Sequence, residues 1–105
     1  MQYRVDVSSQ AAADIRNLFR YISDTLRAPE NAYAQLARIR KQILGLAELP
    51  MRFRAYPQHF AGYPQVRIMP VDHFEVFYTV DTAQEKVTIL RVIYGGRDID
   101  RAFMP

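Results

Sequence analysis

The chain reads as an α+β domain of order β-α-α-β-β-β, an N-terminal helical hairpin packed on one face of a mostly antiparallel four-stranded sheet. Three observations predict this. Residues 2–7 alternate, residues 9–27 and 30–49 repeat apolar side chains at spacings of three and four, and residues 65–94 hold three further strand-like runs. A chain of 105 residues can enclose one core but not two, so residues 1–105 are read as a single domain.

The first strand places Tyr3, Val5 and Val7 on one face. Ser8 or Ser9 can then cap a helix by accepting a free backbone N–H. Ile15, Leu18, Phe19, Ile22 and Leu26 form its apolar stripe, and Pro29 ends it. A second stripe of Ala32, Leu36, Ile39, Ile43 and Leu46 runs to Pro50. With so short a connection, the two helices fold back on one another. Residues 51–64 form a loop broken by Pro57, Gly62 and Pro64. The remaining strands are 65–71, 73–80 and 86–94, with Phe74, Val76, Tyr78 and Val80 turned toward the helices. The opposite face of the sheet is expected to be open. Gly95 and Gly96 end the last strand, and Asp98 is placed to cap a short helix over 99–103.

Composition narrows the classes. Half of the residues are hydrophobic, which excludes a disordered tail. The absence of cysteine rules out disulfides and thiolate metal sites, and suits a reducing cytoplasm. No apolar run approaches the length of a membrane span, and the N-terminus has no export signal. The formal charge of +3 comes from 12 arginines and only two lysines, Lys41 and Lys86. Arginine's planar fork binds phosphates and carboxylates in pairs of hydrogen bonds, which favours a nucleic-acid or acidic partner.

A metal site is not expected: His59 and His73 lie fourteen apart and no other ligand spacing accompanies them. Ser8, Ser9 and Ser23 sit in helix-capping or helical settings, so no serine triad is read. The basic set is the better candidate. Arg52 and Arg54 lie in the long loop, Arg67 on the second strand, Arg91 on the fourth, and Arg97 and Arg101 in the tail. With the aromatics they ring the sheet face expected to be open. The competing account is solvated charge with local ion pairs, Arg91 pairing across strands with Glu75.

The order and spacing of several segments resemble the RelE/ParE superfamily of type II toxin–antitoxin toxins. They are Ala12-Ala13-Asp14-Ile15, Tyr21-Ile22, Pro29-Glu30-Asn31-Ala32, Leu49-Pro50, residues 66–78 from Val66 to Tyr78, and Val87 to Ile99 with Gly95-Gly96-Arg97-Asp98. The likeness spans nearly the whole chain. It implies a small cytoplasmic toxin, without a cofactor, that inhibits growth until a cognate antitoxin wraps it in a hetero-oligomer. It also implies one of two targets, DNA gyrase in the ParE-like branch or the ribosome and its mRNA in the RelE-like branch.

In a RelE-like nuclease, Arg67 and Arg97 would match the catalytic basic positions on strand two and after strand four. The family's strand-three arginine and tail tyrosine fall instead on Glu75 and Phe103, which favours the ParE-like branch. Enzymatic activity is therefore left open, and a non-toxic module that only binds the antitoxin or regulates its own gene is a further alternative. The antitoxin or target is expected to meet Arg52, Arg54, Arg91, Arg97, His73 and Glu75. Phe53, Tyr56, Phe60 and Tyr63 cannot all be buried in so small a domain with the helix stripes. An exposed apolar groove for a protein partner is therefore expected, across the hairpin or at a sheet edge.

Overall fold

The computed structural model describes residues 2–56 and 65–95. Strand β1 (Arg4–Val7) leads into helix α1 (Ser9–Arg20), a π-helical segment (Tyr21–Thr25) and helix α2 (Pro29–Gly45). A 3-10 turn (Pro50–Arg52) precedes β2 (Arg67–Val71), β3 (Phe74–Asp81) and β4 (Lys86–Tyr94). The sheet order is β1-β4-β3-β2, with β1 parallel to β4 and the other pairs antiparallel. A parallel pair cannot be closed by a tight turn, and here the helical hairpin is the crossover that joins β1 to the rest.

Local chemistry explains the helix boundaries. Ser8 holds an extended conformation and its Oγ accepts the Ala11 N–H at 3.0 Å, capping α1. The expected single helix over 9–27 widens after Arg20, where the Leu26 N–H reaches five residues back to the Tyr21 carbonyl at 3.0 Å. Arg27 then turns the chain at a φ of 53°, and Pro29 starts α2. Helix α2 stops at Gly45, short of the expected 49, and runs out in tight turns. The Leu46, Ala47 and Glu48 N–H groups each donate three residues back, to Ile43, Leu44 and Gly45. Proline disfavours the helical region for the residue before it, and Leu49, ahead of Pro50, sits in the left-handed region.

The main core lies between the helices and the sheet. Ala11, Ile39, Ile43 and Leu46 meet Met69, Val71, Val76, Tyr78, Val87, Ile89 and Val92, all nearly or fully buried. Each large side chain so buried stabilises the fold by about 1.5–3 kcal/mol. Phe74 and Val80 pack against this cluster, so the strand β3 face expected toward the helices is the one found there. Tyr78 is fully buried, and its hydroxyl donates to the Pro50 carbonyl at 2.6 Å, tying the 3-10 turn to the sheet.

The opposite face is not open as the sequence suggested. Val66, Ile68, Phe77, Leu90 and Ile93 form a second buried cluster there, with Tyr56 packed edge-on to Phe77 at 5.7 Å. Phe77 was legible as facing away from the helices, but a fully buried aromatic cannot lie on a solvated surface. Residues 54–56 also run alongside the β2 edge. The Ile68 N–H donates to the Arg54 carbonyl at 3.1 Å, and the Tyr56 N–H donates to the Val66 carbonyl at 2.6 Å. These bonds and Pro70 blunt that edge as a site for strand addition.

Candidate functional site

A single irregularity in β4 organises one end of the molecule. Phe77 faces Arg91 while Tyr78 faces Ile89, so Leu90 is an extra residue in the ladder. A bulge of this kind frees backbone groups and re-aims side chains. Backbone groups at the bulge and just beyond it are taken up by helix α1 and its cap. Ser8 Oγ donates to the Leu90 carbonyl at 3.0 Å, and Asp14 Oδ2 accepts the Val92 N–H at 2.9 Å. The same carboxylate receives Arg91 through two bonds, Nε to Oδ2 at 2.7 Å and Nη2 to Oδ1 at 2.9 Å. This charge-assisted pair holds the Arg91 guanidinium above its ordinary pKa, against the opposing effect of burial.

Beyond that clamp the apolar stripe of α1 outruns the sheet. Leu18, Tyr21, Ile22 and Leu26 face Phe74, Val92 and Tyr94 across a cleft of about 820 Å³. Asp14, Asn17, Gln35 and His73 supply its polar margin. Tyr21 and Leu26 remain more than half exposed, so the stripe meets no sufficient partner within the described residues. The expected groove therefore exists, but its walls differ from those anticipated. Phe53 instead packs against the main core and Tyr56 against the second cluster, while Phe60 and Tyr63 lie outside the described residues.

The β2–β3 turn forms the next wall. Asp72 turns the chain at a φ of 54° and accepts Gln35 Nε2 at 2.9 Å and Arg38 Nε at 2.7 Å. The Arg38 bond, then the Gln35 bond, lower the Asp72 pKa from its usual value. A smaller hollow of about 320 Å³ adjoins this turn and includes His73, Glu75, Tyr94 and Gly95. The Gly95 N–H donates to the His73 carbonyl at 2.8 Å. A β-carbon at position 95 would lie only 3.2 Å from that oxygen, so glycine permits the close approach.

The structure divides the basic set read from the sequence. His73 and Glu75 lie together beside the cleft. Arg91 engages Asp14, not Glu75, because Glu75 is opposite Ile93 in the register. Arg67 turns back along its own chain, its Nη1 donating to the Phe53 carbonyl at 2.6 Å and the Met51 carbonyl at 3.3 Å. Arg52 lies 5.1 Å from the Phe53 ring centre and, like Arg54, is exposed. Arg97, Asp98, Phe103 and His59 fall outside the described residues. Asp14 and Gln35 were missed as site residues. Asp14 had a signal, a lone carboxylate between Ala11, Ile15 and Leu18 on an otherwise apolar stripe. Among the described residues, no three histidine, aspartate or glutamate side chains converge as metal ligands, and no helix is long and apolar enough to cross a membrane.

The fold has solved counterparts. A chain of the chromosomal ParDE toxin–antitoxin system from P. aeruginosa superposes with a TM-score of 0.71 at 21% identity, covering 89% of this chain and 96% of that one. A chain of the RelBE2 toxin–antitoxin complex from Mycobacterium tuberculosis gives 0.62 at 21% identity, with 90% and 99% covered. One from the archaeal RelE–RelB complex of Pyrococcus horikoshii gives 0.64 at 20% identity, with 92% and 99% covered. No curated protein sequence matches significantly. The family model for the ParE toxin of the type II parDE toxin–antitoxin system matches residues 5–99. Nearly the whole chain is thus accounted for by one family, and the protein belongs to the ParE toxins of type II toxin–antitoxin systems.

Proposed function

We propose that this toxin poisons DNA gyrase in the cytoplasm and is silenced by an antitoxin segment lying in the cleft between the end of the helical hairpin and Tyr94. The observation that carries the target assignment is the internal engagement of Arg67, one of the two arginines a nuclease would need. Arg67 Nη1 donates to two backbone carbonyls, so its guanidinium is not presented to a phosphate in the way RNA cleavage demands. Glu75, at the position where the RelE-like nucleases carry a strand-three arginine, puts a negative charge where such an enzyme would need a cation. The antitoxin assignment rests on the cleft's apolar walls, which suit one face of an amphipathic helix.

Two assays on the purified chain separate the targets. With gyrase and relaxed plasmid, the toxin should block supercoiling and leave linear, gyrase-cleaved DNA. In a translating extract it should leave messenger RNA intact. Codon-specific cuts in the extract with undisturbed supercoiling would overturn the gyrase reading and restore a role for Arg67 and Arg97 in RNA cleavage.

A further inference from the structure

The end of the molecule opposite the cleft carries a second surface without a partner among the described residues. Leu44, Leu49 and Met51 are 60%, 74% and 46% exposed within eight residues of one another in sequence. Leu49 is held at φ 51° and ψ 56°, a left-handed conformation that is strained for a branched apolar residue. That conformation leaves an apolar side chain turned to solvent, where a partner could bury it. Arg52 follows in the same turn, its N–H donating to the Leu49 carbonyl at 3.2 Å. Its guanidinium rests 5.1 Å from the Phe53 ring centre and beside Gly45, where even a β-carbon would lie 3.5 Å from Nη2. Residues 40–54 hold four cations, Arg40, Lys41, Arg52 and Arg54, against the single acid Glu48.

The two surfaces are far apart. The Tyr3 N–H donates to the Ala47 carbonyl at 2.8 Å, which places this turn beside the start of β1, and Arg4 pairs with Lys86 at the start of β4. Val92 and Tyr94, in the cleft, close the same strand. Eight residues of strand separate the two ends by about 26 Å. A helix seated in the cleft therefore leaves the Leu49 end open.

We propose that this apolar knob with its basic rim is the docking surface for the toxin's protein target, through an acidic patch bearing an apolar hollow. The inference rests on the toxin reading above but not on the identity of the target. Leu49 and Met51 supply the buried anchor, and Arg52 and Arg54 supply the charge that orients and speeds encounter. The antitoxin in the cleft then silences by denying the target a second contact, not by covering the first.

The test uses Leu49→Asn with Met51→Ser in the full chain, asparagine being well suited to the left-handed conformation. A second variant, Arg52→Glu with Arg54→Glu, reverses the rim. Each should keep the wild-type unfolding temperature and antitoxin Kd within about twofold, while the inducer dose needed for growth arrest rises at least about tenfold. Arrest at the wild-type dose in both variants overturns the proposal. So does an antitoxin Kd weakened about tenfold, which would assign the surface to the antitoxin. An unmutated chain that arrests no growth removes the toxin reading itself, a result distinct from either.

Discussion

Asp14 and Arg91, seventy-seven residues apart in sequence, form a two-bond carboxylate–guanidinium pair at 2.7 and 2.9 Å that fastens the first helix to the bulge in the last strand. Both side chains are largely buried, at 15% and 21% exposure. Asp14 also stands on the polar margin of the cleft, and the pair fastens α1 to the sheet just before its stripe outruns it. It also satisfies the Val92 N–H next to the bulge.

Asp14→Ala should therefore destabilise the fold by about 2–3 kcal/mol, because the guanidinium and the Val92 N–H lose this acceptor in a poorly solvated place. Chemical denaturation measures the loss directly. Asp14→Asn, which keeps an acceptor for Val92, should lose less.

Tyr78 ties the 3-10 turn to the core, and Tyr78→Phe should cost about 1–2 kcal/mol at neutral pH through loss of the bond to the Pro50 carbonyl. Burial raises the phenol's pKa above its usual value near 10, against the lowering effects of Arg67 and Arg52. A raised pKa in the folded state contributes stability that is present below the unfolded value and lost as pH rises beyond it. The gap between wild type and Tyr78→Phe should accordingly shrink above about pH 10. Thermal unfolding of both proteins from pH 7 to 11 checks this.

Much of this architecture was legible because periodicity reports directly on burial. The β4 bounds, the inward face of β3 and the hairpin stripes all follow from spacings of two, three and four. Tertiary chemistry was less visible. The bulge at Leu90 changes which face Arg91 can reach, and only its three-dimensional consequence pairs that residue with Asp14 and not Glu75. Nor does alternation distinguish a solvated outer face from a second core, so the burial of Phe77 could not be read from β3 alone. The groove was foreseeable from a count of apolar residues, but its walls depended on where α1 outruns the sheet.

Tyr21→Asp combined with Leu26→Asp places two charges in the apolar wall of the cleft at positions that are already exposed. The fold should be nearly unaffected, while antitoxin affinity should fall at least about tenfold. Calorimetric titration of the variant toxin with the cognate antitoxin gives the number. Unchanged affinity would move the antitoxin away from the cleft.

Induction of the chain alone in growing cells, with and without its cognate antitoxin, tests the central claim most directly. Growth should stop with the toxin alone and continue when the antitoxin is produced beside it. Undisturbed growth, with the folded protein present at high level, would contradict the account.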